Sequence, residues 1–134
     1  MDCSNNEISV IGSMPCIKRL ICTNNKITAI GRCDELKYLD CRHNLITKLL
    51  VYPKLKDLNI AHTKLVTIPQ LQELKSIDCR DTSVTLIPYL DKLQELICEH
   101  KKTKGIDKRY KLNTKTARII KNSFIYLTFN QKTT

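Results

Sequence analysis

The chain has 134 residues, of which 42% are hydrophobic and 27% charged, with seven Cys, three Gly, four Pro and no Trp. That length fits one domain able to bury about two-thirds of its unfolded surface; the composition excludes a disordered or collagen-like chain, and no run of about 18 apolar residues is present to cross a bilayer. The net charge of +10 is local, because residues 1–100 hold 13 Lys and Arg against 12 Asp and Glu, a balance of +1, whereas residues 101–134 hold ten against one, a balance of +9.

The chain starts Met1-Asp2-Cys3-Ser4-Asn5-Asn6-Glu7, without the basic and apolar blocks of a secretory signal. The Cys residues are therefore expected as reduced thiols in an intracellular, cytoplasmic protein. Cys3, Cys22, Cys41, Cys79 and Cys98 fall on one 19-residue grid, with Ile60 at the point where Cys is missing. Two residues earlier stand Met1, Leu20, Leu39, Leu58, Ile77 and Leu96; five later stand Ile8, Ile27, Ile46, Leu65 and Val84. Ile11, Ile30, Leu49, Ile68 and Ile87 form a further apolar column, as do Ile17, Leu36, Leu55, Leu74 and Leu93. No insertion breaks this register over about five repeats.

Within a unit, Leu39 and Cys41 alternate with Tyr38, Asp40 and Arg42, the period of a half-buried strand with its apolar set turned inwards. One unit cannot bury that face, so neighbours must stack about 4.8 Å apart and join each column into a ladder. The column Asn6, Asn25, Asn44 is expected to satisfy backbone groups where the chain leaves the strand, with Thr63 and Thr82 doing part of that task. Inward Cys acts as a small hydrophobe that permits close stacking, and thiols on one line do not make a tetrahedral metal set. Of the two Cys off this grid point, Cys33 shares a column with Met14, Tyr52, Leu71 and Leu90 and is expected buried, whereas Cys16 aligns with Glu35, Lys54, Glu73 and Lys92 and is expected exposed.

The unit thus reads apolar, two variable, Leu, one variable, Cys, two variable, Asn, one variable, Ile, two variable, Ile, most clearly over residues 36–46. It resembles the leucine-rich repeat, with Cys where that family usually has Leu, over residues 1 to about 100. The departures are Thr63 and Thr82 at the Asn position and a unit among the shortest of the family. In length it is similar to the repeats of bacterial secreted effectors, and in its richness in Lys, Ile and Asn to repeat proteins of large DNA viruses. The resemblance implies a leucine-rich-repeat solenoid: a short curved horseshoe with a parallel β ladder on its concave face, irregular or single-turn outer segments and a C-terminal cap. Residues 1–100 would form the solenoid and residues 101–134 a basic capping segment.

Outward strand positions of a solenoid form its binding surface. They place Arg19, Ile21, Tyr38, Asp40, Arg42, Asp57, Asn59, Asp78, Arg80, Glu95 and Ile97 on the concave face, mixed in sign and suited to a protein partner better than to a nucleic-acid backbone. The next column, Asn5, Asn24, His43, His62, Asp81 and His100, contains every His of the chain. Imidazole and carboxylate are metal ligands, but a linear array fits tetrahedral geometry poorly, so the column is read as an exposed polar rim and no metal or cofactor is expected. Cys41 points inwards while His43 and His62 point outwards, and no nucleophile and base pair up. Lys18, Lys37, Lys56 and Lys75, ending at Gln94, read as a solvated edge, with Glu35, Lys54, Glu73 and Lys92 alternating in sign nearby.

From Lys101 the grid is lost. Lys101, Lys102, Lys104, Lys108, Arg109 and Lys111 form a basic cluster able to meet phosphates or anionic lipid. Asn113-Thr114 is expected to cap a short helix over residues 115–122 that carries Ile119 and Ile120, followed by a strand over residues 124–129. The expected function is a non-enzymatic scaffold that binds a protein partner on the concave face, without a small-molecule substrate. The alternative is nucleic-acid or anionic-membrane binding through the basic segment. Met1, Cys3, Ile8 and Ile11 of the first coil lie beside an open strand edge, which leads us to expect a homodimer through two first repeats.

Overall fold

The 19-residue period sets the backbone directly, because each unit from the second onwards supplies one strand to a common ladder. The computed structural model describes residues 1–99, 118–121 and 124–128. Its strands are β1 (Val10–Ile11), β2 (Arg19–Ile21), β3 (Ala29–Ile30), β4 (Tyr38–Asp40), β5 (Asp57–Asn59), β6 (Ser76–Asp78), β7 (Glu95–Glu99), β8 (Arg118–Lys121) and β9 (Phe124–Thr128). The main sheet has seven strands in the order β2-β4-β5-β6-β7-β9-β8. From β2 to β7 the pairing is parallel and in register with the repeat, so that Leu20, Leu39, Leu58, Ile77 and Leu96 are successive partners. A parallel bridge from Asp2 to Ile21 adds a rung before β2. The result is a parallel-strand β-solenoid of about five turns, without a helix among the described residues.

Burial explains why this register holds. The Leu/Ile column and the Cys22, Cys41, Ile60, Cys79, Cys98 column are both buried, and a slip of one residue would turn both into solvent. Cys33 is buried in a column with Tyr52, Leu71 and Leu90, while Cys16 is exposed. The Tyr52 hydroxyl, deep in that column, donates to the Ile30 carbonyl at 3.2 Å. Below the ladder the chain is irregular, apart from the short parallel pair β1 and β3, which forms a second sheet on the outer side. A two-residue strand is too short to be marked by hydrophobic periodicity. Next to it Gly31 has a spatial reason to be Gly, since a Cβ there would lie 2.6 Å from the Ser13 backbone nitrogen.

Polar groups bind the turns together where the strands end. The Asn44 amide nitrogen donates to the carbonyls of Cys41 and Arg42 in its own turn, at 3.1 and 3.2 Å, and to Cys22 of the preceding turn at 2.9 Å. Its oxygen accepts from the Ile27 nitrogen at 2.9 Å. Asn25 repeats the pattern with Cys22, Thr23, Cys3 and Ile8. Thr63 reaches only its own turn, donating to the Ile60 carbonyl at 2.8 Å and accepting from the Leu65 nitrogen at 3.5 Å. A hydroxyl is too short, and has one donor too few, to span two turns.

At the far end the ladder changes direction. β9 lies antiparallel to β7, β8 lies antiparallel to β9, and Leu127 is buried with the repeat core. The strand expected over residues 124–129 is therefore present as β9. The helix expected over residues 115–122 is not, because β8 occupies Arg118–Lys121. A helix of eight residues is marginal by itself, whereas pairing along β9 satisfies the same backbone groups at an available sheet edge. No helix among the described residues is long and apolar enough to cross a membrane.

Candidate functional site

The outward side chains of β2 to β7 form what we call the ladder face. In its first column the Arg19 guanidinium lies over the Tyr38 ring, 3.7 Å from the centroid, followed by exposed Asp57, half-buried Ser76 and exposed Glu95. The second column is occupied by local backbone chemistry. The Oδ1 atoms of Asp2, Asp40, Asn59 and Asp78 accept hydrogen bonds from the backbone nitrogens two residues on, in Ser4, Arg42, Ala61 and Arg80, at 3.0, 3.3, 3.1 and 3.2 Å. This is the short-range turn geometry that Asp and Asn favour.

Two of the residues expected to face a partner are largely enclosed by this arrangement. Asp40 and Asp78 are only 5% and 8% exposed, because each carboxylate is held under its own Arg. Arg42 donates from Nε and Nη2 to the two Asp40 oxygens at 2.9 Å each, and Arg80 donates to Asp78 at 3.0 Å from Nε and 2.7 Å from Nη2. Such forked, charge-assisted bonds fix a guanidinium in one orientation, and here they raise the proton affinity of both Arg side chains. Ile21 and Ile97 take the Asp position at either end of the ladder and are half-buried. Of the expected set, Arg19, Tyr38, Arg42, Asp57, Asn59, Arg80 and Glu95 remain at least partly exposed.

Arg42 and Arg80 are two turns apart, with Ala61 between them, so equal charges never occupy adjacent rungs of that column. The outer edge follows the same rule with opposite signs. Lys54 meets Glu35 at 2.6 Å and Lys92 meets Glu73 at 2.9 Å, each across one turn, and these lysines hold both carboxyls below the usual range. Lys26 and Glu7 form a similar pair.

The histidine column has a backbone cause. Asn5, Asn24, His43, His62 and Asp81 all adopt positive φ, between 50° and 58°. Asn, Asp and His are the side chains best tolerated in that left-handed conformation, so the column's composition follows from the turn that ends each strand. Neighbours then touch along the edge: Asn24 donates to Asn5 at 2.9 Å, the His43 and His62 rings stack at 4.3 Å and 9°, and His62 Nδ1 lies 3.1 Å from the Asp81 carboxylate. Among the described residues no group of three His, Cys, Asp or Glu side chains is arranged to hold a metal. His100, and the basic cluster Lys101, Lys102, Lys104, Lys108, Arg109 and Lys111, lie outside the described residues. The buried thiols of Cys22 and Cys41 are chemically quiet, since burial pushes Cys22 up to about 12 and Cys41 well above the ordinary range.

Partial burial lowers the proton affinity of His43, with His62 and Arg42 adding to the effect and Asp40 and Asp81 opposing it. Above about pH 6.5 the imidazole is neutral in both folded and unfolded chains. As the pH falls through that value the unfolded chain takes up the proton first, so stability declines until the folded pKa is passed and then levels. The melting temperature is accordingly expected to fall between pH 7 and pH 5 by more in the native chain than in His43→Asn, which keeps a residue suited to positive φ. Equal slopes in the two would remove His43 as the cause.

No known protein family, curated protein or solved structure matches this chain.

Proposed function

We propose that the protein is a non-enzymatic binding module of the leucine-rich-repeat type whose ladder face takes a protein partner. The repeat assignment draws support from the in-register Leu and Cys columns and from the Asn residues that bond two turns at once. The binding reading rests on one observation: the ladder face carries side chains already locked in place by their neighbours. Arg42 and Arg80 are forked onto Asp40 and Asp78, and Arg19 lies against Tyr38, so little side-chain entropy remains to be lost on association. Arg and Tyr are also the residue types that dominate binding energy at protein interfaces.

The test begins with capture of the partner from the native cell by the full chain, followed by titration of that partner against variants. Tyr38→Ala and Asp57→Arg are expected to weaken binding about 30-fold each, the effect of an interface hot spot of about 2 kcal/mol. Thr67→Arg, on the exposed outer side, is the control and is expected to leave affinity unchanged. Loss of binding in Thr67→Arg with retention in the two ladder-face variants would place the interface on the opposite side.

A further inference from the structure

One column departs from the charge rule that the other columns obey. Lys18, Lys37, Lys56 and Lys75 occupy four consecutive turns immediately before each strand. Their backbones are joined in a straight chain, in which the nitrogens of Lys37, Lys56, Lys75 and Gln94 donate to the carbonyls of Lys18, Lys37, Lys56 and Lys75 at 2.8, 2.9, 2.8 and 2.8 Å. The four side chains therefore start about 4.8 Å apart on a common line. None of them has a carboxylate within ion-pair distance among the described residues, and three are exposed, Lys56 being half-buried.

Like charges on adjacent strands are destabilising. Elsewhere this chain avoids that cost, spacing Arg42 and Arg80 by two turns and alternating Glu35, Lys54, Glu73 and Lys92. Glu35 and Glu73 feel these lysines, but each is already paired with Lys54 or Lys92, so the row of four ammonium groups keeps an excess of positive charge that suits an external anion. The strip is one lysine wide. On one side the charges are already neutralised in the Glu35–Lys54 and Glu73–Lys92 pairs, and on the other stand the carboxylates of Asp57 and Glu95. A bilayer surface, which is a plane of anions, would meet those carboxylates as well. An extended acidic peptide presents one side-chain position per about 6.6 Å on each face and needs an acid at every one. A single nucleic-acid strand carries a phosphate on every unit, with about 3.4 Å of axis per phosphate when stacked and more when extended, a range that brackets the rung spacing.

We propose that Lys18, Lys37, Lys56 and Lys75 form a ridge that binds the phosphate backbone of single-stranded nucleic acid without reading its sequence. The ridge is separate from the basic cluster of residues 101–111 and from the ladder-face interface, and it does not depend on the existence of a protein partner. Contact through four ammonium groups is electrostatic, so affinity should fall steeply with salt, by about 0.7 in log K per unit of log salt for each phosphate neutralised.

The experiment measures fluorescence anisotropy of a labelled oligouridylate of about twelve nucleotides against the full chain over a series of salt concentrations. Replacing all four ridge lysines by Gln is expected to reduce the salt slope by about 2.8, four contacts at about 0.7 each. The same reduction is expected in a background where Lys101, Lys102, Lys104 and Lys108 are also Gln, which separates the ridge from the basic cluster. An unchanged slope in the ridge variant overturns the proposal. It is overturned equally if a glutamate homopeptide or phosphatidylserine vesicles bind as tightly as the oligonucleotide and lose that binding with the same four substitutions. The melting temperature of the ridge variant at low salt provides a second reading. It should equal or exceed that of the native chain, because mutual repulsion among the four lysines outweighs their attraction to the already paired Glu35 and Glu73, and a clear fall would overturn the proposal by showing that the row is kept for contacts within the chain.

Discussion

Leu58→Ala is expected to destabilise the protein by about 2–5 kcal/mol, the range for removing a fully packed Leu and leaving part of the cavity unfilled. Leu58 is 3% exposed and sits in the middle of its column, with Leu39 and Ile77 as register partners on either side. In a solenoid each turn is supported by its two neighbours, so a defect in a central turn weakens two interfaces, whereas one at an end weakens a single interface. Relative to the usual total of about 5–15 kcal/mol, the loss is large enough to shift the urea midpoint well clear of experimental error. Unfolding by urea, followed by circular dichroism, measures it, and a midpoint equal to that of the native chain would show that the Leu column is not the inner face.

The second large effect is expected from Asn44→Leu. Asn44 is 4% exposed and forms four hydrogen bonds across two turns. Leucine matches its size but leaves the Ile27 nitrogen without the Asn44 oxygen and the Cys41 carbonyl without its Asn44 donor, in a place that water reaches poorly, while the Cys22 carbonyl keeps its bond from Asn25. A stranded buried polar group costs about 1–3 kcal/mol, so two of them put the expected loss at about 2–6 kcal/mol. The reciprocal substitution sharpens the test. Thr63→Asn lengthens a side chain that now bonds only within its own turn, bringing the Cys41 carbonyl and the Ile46 nitrogen within reach by analogy with Asn44 and its own partners. It is expected to raise the urea midpoint, while Asn44→Thr should lower it. If Asn44→Leu were neutral, the ladder would be held by apolar packing alone.

The positions of the ladder strands β2 to β7, their parallel order, the inward Leu and Cys columns and the burial of Cys33 against the exposure of Cys16 were all legible in the sequence. The reason is that a strict 19-residue period repeats one burial decision at the same place in every turn, so the pattern is averaged over five copies. The Asn column was legible for a related reason, since a polar residue recurring beside an apolar column must serve the backbone. Where the period stops, at Lys101, that averaging stops too, and the stretch around Ile119 and Ile120 was read as a helix although β8 pairs there with β9. Local propensity ranked the helix first, and an available sheet edge supplied by tertiary structure outweighed it.

At the candidate site the sequence by itself determined which residues face outwards, because alternation within a strand is a property of the backbone. What those residues do there was decided by the tertiary structure. Asp40 and Asp78 look like free carboxylates in a list of outward positions, yet each caps a backbone nitrogen and lies beneath its own Arg. His43 and His62 look like ligands, yet their column is one of Asn, His and Asp because the chain passes through positive φ at that point in every turn. Bonds from a side chain to a nearby backbone, and the sign of a dihedral angle, leave no trace in hydrophobic periodicity. They depend on the shape of the turn, and that shape is fixed only when neighbouring turns stack.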